Sequence, residues 1–124
     1  MMSFIYVGIG GALGAMARFG VSVWLKTAAT SGFPWATLSV NIIGSLLMGL
    51  LMGWLARSGH DGLRLFLAVG VLGGFTTFSA FSMELVGLLE RREAALALLY
   101  ASGSLVGGVV AFMAGYMLLR SVAA

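Results

Sequence analysis

Four long apolar runs divide the chain, at about residues 3–25, 35–56, 63–89 and 94–119. Each reaches or exceeds the roughly 20 residues that a helix needs to cross a bilayer. The connectors, residues 26–34, 57–62 and 90–93, are short and hold most of the charged side chains. The pattern predicts four transmembrane helices, with residues 1–124 forming one four-helix domain. Ser31 or Thr37, and Asp61, are the expected helix caps. The first run has no basic leader and no small-residue cleavage site, so it reads as a mature helix rather than a signal peptide.

The third run contains Gly73-Gly74-Phe75-Thr76-Thr77-Phe78-Ser79-Ala80-Phe81-Ser82. This decamer is badly suited to an unbroken helix. Each glycine costs roughly 1 kcal/mol against alanine in a helix interior. The threonines are β-branched, and their hydroxyls compete for backbone bonds. Open backbone at membrane depth persists only when buried in protein or lining a wet cavity. The third helix is therefore expected to be broken at its centre, and the break is either a site or a costly accident.

Composition sharpens the class. The chain is 60% hydrophobic and 9% charged, whereas about a quarter of residues are charged in a soluble domain. Nineteen glycines and one proline suit closely packed membrane helices. Small residues recur four apart at Gly10 and Gly14; Ser45, Gly49 and Gly53; Gly70 and Gly74; and Gly103, Gly107, Ala111 and Gly115. A formal charge of +3, dispersed along the chain, argues against a nucleic-acid partner. Without cysteine and with His60 as the only histidine, thiolate sites, histidine triads and multi-histidine metal sites are excluded. The run from Gly8 to Gly14 echoes a dinucleotide loop, but it lies inside a span with no preceding strand.

Charge placement bears on orientation. Four spans put Arg57, Arg64 and Arg120 on one side and Lys26, Arg91 and Arg92 on the other. Basic residues normally decide which side faces the cytoplasm. Here the sides balance, and Arg18 changes the count by one. Two readings are open: a weak bias decided by other features, or insertion both ways up as an antiparallel homodimer. Four thin helices scarcely enclose a pathway alone, and an antiparallel pair would supply the two-fold relation of inverted repeats.

Polar groups within the spans are few and costly. Arg18 lies seven residues before the end of its run, Asn41 six after the start, Glu84 five before the end and Tyr100 six after the start. All four fall in the half nearest Lys26, Arg91 and Arg92, which predicts a polar vestibule narrowing toward the break. Blander roles remain open: snorkelling for Arg18, an ion pair with Arg18 for Glu84, an interhelical hydrogen bond for Asn41, and interface anchoring for Tyr100. Phe78 and Phe81, three apart, share a helix face. Their electropositive ring edges suit an anion, with hydroxyls of Thr77, Ser79 and Ser104 replacing part of its water.

These residues resemble one family. The decamer resembles the signature of the small fluoride channels known as Fluc or CrcB. The likeness extends to the four spans, to Gly10-Gly11-Ala12-Leu13-Gly14 followed by Arg18, to Asn41 with Gly44, and to Glu84. The resemblance implies a dual-topology antiparallel homodimer with two pores in the inner (plasma) membrane, letting fluoride leak out passively and protecting the cell. It implies that Phe78 and Phe81 are the pore aromatics and that Asn41 donates a hydrogen bond there. Ser79, Tyr100 and Ser104 would belong to a polar track, and Arg18 to the vestibule. Backbone carbonyls of Gly73 and Thr76 from both copies would hold a structural sodium ion at the dimer centre. Two departures stand out. Position 80 is Ala where the family often has Thr, and continuing along the fourth helix from Ser104 reaches Gly108 and Phe112, without hydroxyls.

Two other functions compete. A small dual-topology proton-coupled cation or guanidinium exporter has similar size, but those proteins centre on a glutamate in the first helix. Here that helix has no acid, and Glu84 would have to couple transport. A non-transport membrane scaffold would make the break a packing kink.

Overall fold

The computed structural model describes residues 1–28, 32–56 and 59–122, and those residues form helices joined by short turns. In order they are α1 (Met2–Ala28), α2 (Trp35–Leu55), α3 (Asp61–Arg64), a π-helical segment (Leu65–Leu72), α4 (Gly73–Phe75), α5 (Ser79–Glu90) and α6 (Ala94–Val122). Four stretches are long and apolar enough to cross a membrane: Met2–Leu25, Trp35–Leu55, Asp61–Glu90 and Ala94–Ser121. The protein is a multi-pass, all-helical membrane protein. Large apolar side chains along every span remain exposed, including Phe4, Phe19, Val69, Leu98 and Leu105, as a bilayer-facing surface requires.

Glycine decides which helices touch. A Cβ on Gly10 would lie 2.5 Å from the Phe66 carbonyl oxygen, and one on Gly14 would overlap the Val71 carbonyl. One on Gly74 would lie 2.5 Å from the Gly11 oxygen. So α1 lies directly against the first half of the third span. Helices α2 and α6 form the other close pair: Gly49 faces the Phe112 carbonyl, Gly53 that of Tyr116, and Gly115 that of Leu46. Lipid gives helices no hydrophobic reason to associate, so contact depends on such backbone proximity. The small-residue pattern is not uniformly a contact signal, because nothing lies within 4 Å of a Cβ built on Gly103.

At one end of the molecule the elements are tied across. Pro34, at φ −80° and ψ 69°, centres a γ-turn in which the Trp35 N–H donates to the Phe33 oxygen at 2.9 Å. Arg91 Nη2 donates to the Gly32 oxygen at 3.1 Å and lies 3.6 Å from Glu93 Oε2. Helix α5 ends with Arg92 left-handed at φ 59°. The N–H groups of Arg92 and Glu93 donate back to Leu89 and Leu88 at 3.1 and 3.0 Å, closing a Schellman-type cap without the usual glycine. Beside this end Leu88, Ala97 and Tyr100 form a buried cluster with Phe33, Leu38, Phe81 and Leu85.

The expected caps need correction. Asp61 opens its helix and His60 holds the cap position, without a side-chain bond. Thr37 lies inside α2, buried, because the chain turns helical directly after Pro34. Ser31 and Arg57 lie outside the described residues.

Candidate functional site around Asn41 and Thr77

Main chain comes first at this site. Gly73 and Gly74 stay helical. The chain leaves helical geometry at Thr76, which is extended at φ −87° and ψ 158°, and α5 starts at Ser79. Gly74 therefore serves close contact with α1, and the departure falls on the threonines. Thr76 is held on the preceding turn, where its N–H and Oγ1 both donate to the Leu72 oxygen at 3.0 Å.

Two side chains from other helices replace what the helix gives up. Asn41 Nδ2 donates to the Thr77 oxygen at 2.9 Å, and the Thr77 N–H donates to Asn41 Oδ1 at 2.8 Å. The asparagine amide thus pairs with a main-chain amide as a neighbouring strand would. Arg18 Nε donates to the Gly74 oxygen at 3.1 Å, taking the place of the Phe78 N–H. Thr77 Oγ1 accepts from the Ala80 N–H at 3.1 Å, which caps the new helix, and lies 3.3 Å from Ser79 Oγ.

These substitutions free two carbonyls. In a continuous helix the Thr77 N–H would go to Gly73 and the Ala80 N–H to Thr76. One is taken by Asn41 and the other by a hydroxyl. The oxygens of Gly73 and Thr76 lose their regular donors. Among the described residues no three acidic, histidine or cysteine side chains gather as metal ligands.

Three cavities meet at this point. One of about 460 Å³ is lined by Asn41, Gly44, Ser45, Met48, Gly73, Thr76, Thr77, Phe78 and Phe112. A second, of about 190 Å³, is lined by Asn41, Phe78, Phe81, Ser104 and Leu105. A third, of about 200 Å³, includes Arg18, Ser22, Thr37, Thr77, Ala80 and Glu84. Asn41 and Phe78 belong to the first two, and Thr77 joins the first to the third. Phe78 is 78% exposed on the protomer. Its ring centroid lies 5.8 Å from that of Phe81. Ser104 Oγ is buried without a hydrogen-bond partner.

The structure thus brings Asn41, Phe78, Phe81 and Ser104 to one cavity and Arg18 with Glu84 to another. Ser79 and Tyr100 line none of the three. Tyr100 is fully buried, its hydroxyl donating to Glu84 Oε1 at 3.2 Å and its ring 5.0 Å from that of Phe81. It props Phe81 from behind. Glu84 takes Tyr100 as partner, and the ion pair among the described residues is Arg91 with Glu93. Sequence reasoning missed Ser45 and Met48 as cavity residues, and the backbone target of Arg18. Helical spacing from Asn41 places Ser45 one turn on, the signal that was available for it.

The family described as CrcB-like protein, Camphor Resistance (CrcB), matches residues 5–116. The fluoride-specific ion channel FluC of Novosphingobium aromaticivorans is 51% identical over 126 residues, covering 99% of this chain and all of its own. That of Sphingopyxis alaskensis is 53% identical over 126 residues, with both chains fully covered. That of Agrobacterium fabrum is 46% identical over 124 residues, covering 98% of this chain and 99% of its own.

Proposed function

The chain belongs to the CrcB family, and from that premise we propose that it is a fluoride-selective channel, passive and not an enzyme, that lets fluoride leave the cell. One observation carries the reading beyond the family: Asn41, Phe78, Phe81 and Ser104 converge on a single cavity beside interrupted backbone. Fluoride is small and strongly hydrated, so a path must replace its water without holding it fast. Asn41 spends one amide hydrogen on Thr77 and keeps another to donate. Ser104 has an unengaged hydroxyl. Ring edges of Phe78 and Phe81 supply weak positive potential. Arg18 adds a permanent positive charge beside the third cavity, which suits attraction of anions into a vestibule.

The same reading extends to assembly. The working unit is an antiparallel homodimer in the inner membrane, one domain per chain, with the interruptions of both copies together at its centre. What supports this is the near balance of basic residues, the exposure of Phe78 and the thinness of one protomer. Carbonyls of Gly73 and Thr76 from each copy would together hold a sodium ion. Their lost helical donors fit that role, and the ion would supply a fixed positive charge binding the two halves.

The test is fluoride efflux from reconstituted liposomes, read beside chloride and with and without a pH gradient. Fluoride flux independent of the gradient is expected. Phe78→Ile and Phe81→Ile should each lower it at least tenfold while the protein stays folded. Wild-type flux in both variants would remove the rings from the path, and strict dependence on the gradient would favour a proton-coupled exporter.

A further inference from the structure

We propose that Ser45 supplies the ion path with a hydroxyl that α6 lacks. The inference rests on the fluoride reading and adds a residue to it. Serines inside helices ordinarily bond back to the carbonyl three or four residues earlier. Ser82, Ser102 and Ser121 do so, to Phe78, Leu98 and Leu118 at 3.0, 2.7 and 3.0 Å. Ser45 and Ser104 do not, nor do Ser22 and Ser39, so what marks the first two is the cavity each lines. Ser104 Oγ is buried and unpartnered beside Phe78 and Phe81. Ser45 lines the larger cavity, with Asn41, Phe78 and Phe112. Two unengaged hydroxyls, one from α2 and one from α6, thus bracket the Asn41–Phe78 pair.

For the two turns beyond Ser104, helix α6 carries no hydroxyl on that face. One turn beyond Ser104 stands Gly108, and one turn further Phe112. A Cβ on Gly108 would lie 3.4 Å from Ser45 Oγ. The serine oxygen therefore lies within contact distance of the place a side chain at 108 would start, so the neighbouring helix α2 presents a hydroxyl where α6 has none. The chemistry suits a compact anion of high charge density. A hydroxyl donates one short hydrogen bond and carries no net charge, so it offsets lost water without creating a deep well.

Fluoride efflux from liposomes tests this with wild type, Ser45→Ala, the exchange Ser45→Ala with Gly108→Ser, and Ser102→Ala as control. Ser45→Ala should slow fluoride about tenfold, the scale of one hydrogen bond to an ion. The exchange should recover most of that loss, and Ser102→Ala should match wild type. An unchanged rate in Ser45→Ala, or a loss that the exchange does not recover, overturns the assignment. Should Ser45→Ala fail to purify as one species, Ser45→Cys, nearly isosteric and a weak donor, is held to the same criterion. Absence of flux from wild type would sink the channel reading itself, a separate result.

Discussion

Asn41 pins the non-helical backbone of the third span. Its amide satisfies both the N–H and the carbonyl of Thr77, groups that a continuous helix would have paired internally. Asn41→Leu should therefore cost about 2–5 kcal/mol, since it orphans two backbone groups. Thr77→Val removes one capping oxygen from the Ala80 N–H and should cost about 1 kcal/mol. Thermal unfolding of the purified protein compares them, and equal losses would mean the amide pairing contributes nothing special. At this scale the sequence was half legible. Polar residues inside apolar runs identify Asn41, Arg18 and Ser104, because each is expensive there. Their partners are not legible. Arg18 and Asn41 bond to main-chain atoms 56 and 36 residues away, and every residue type carries the same amide.

At the scale of the element, apolar run length places all four spans, because the thickness of hydrocarbon sets it. Local preference misplaces the point of interruption. Two adjacent glycines suggest a weak helix at 73–74, yet both stay helical, Gly74 in close contact with Gly11, and the deviation falls at Thr76. The π-helical turns at Leu65–Leu72 have no specific signal in a run of Leu, Phe, Val and Ala around one glycine, Gly70. Glycine context gives a sharp contrast. Gly14→Ala forces a methyl into the Val71 carbonyl and should destabilise by about 1–3 kcal/mol through overpacking. At Gly8 nothing lies within 4 Å, so Gly8→Ala should be neutral or add up to about 1 kcal/mol of helix propensity. Melting temperatures of the two variants check the pair, and a similar loss in both would show that α1 meets something at Gly8.

For the whole molecule, antiparallel pairing carries its own prediction. Adding two lysines to the 90–93 connector should fix one orientation, because flanking charge sets topology. That variant expressed alone should yield no functional dimer, and co-expression with an oppositely biased variant should restore it. Exchanging sodium for a bulky organic cation should lower the yield of crosslinked dimer. Activity from one biased chain alone would refute the antiparallel unit, and a sodium-independent yield would refute the central ion. The near balance of basic residues was readable from the sequence; which surfaces meet is not, since it depends on how Phe78 and the freed carbonyls are covered.

If two copies pair over the oxygens of Gly73 and Thr76, as proposed, the pairing bears on the life history of the protein. A newly synthesised protomer that has not yet met its twin would then keep both carbonyls without their helical donors, beside the cavity these residues line. On that proposal, unpaired protomers would be the less stable species and the more open to proteolysis. When synthesis is scarce, encounters follow mass action, so the number of mature units should climb more steeply than the rate of translation.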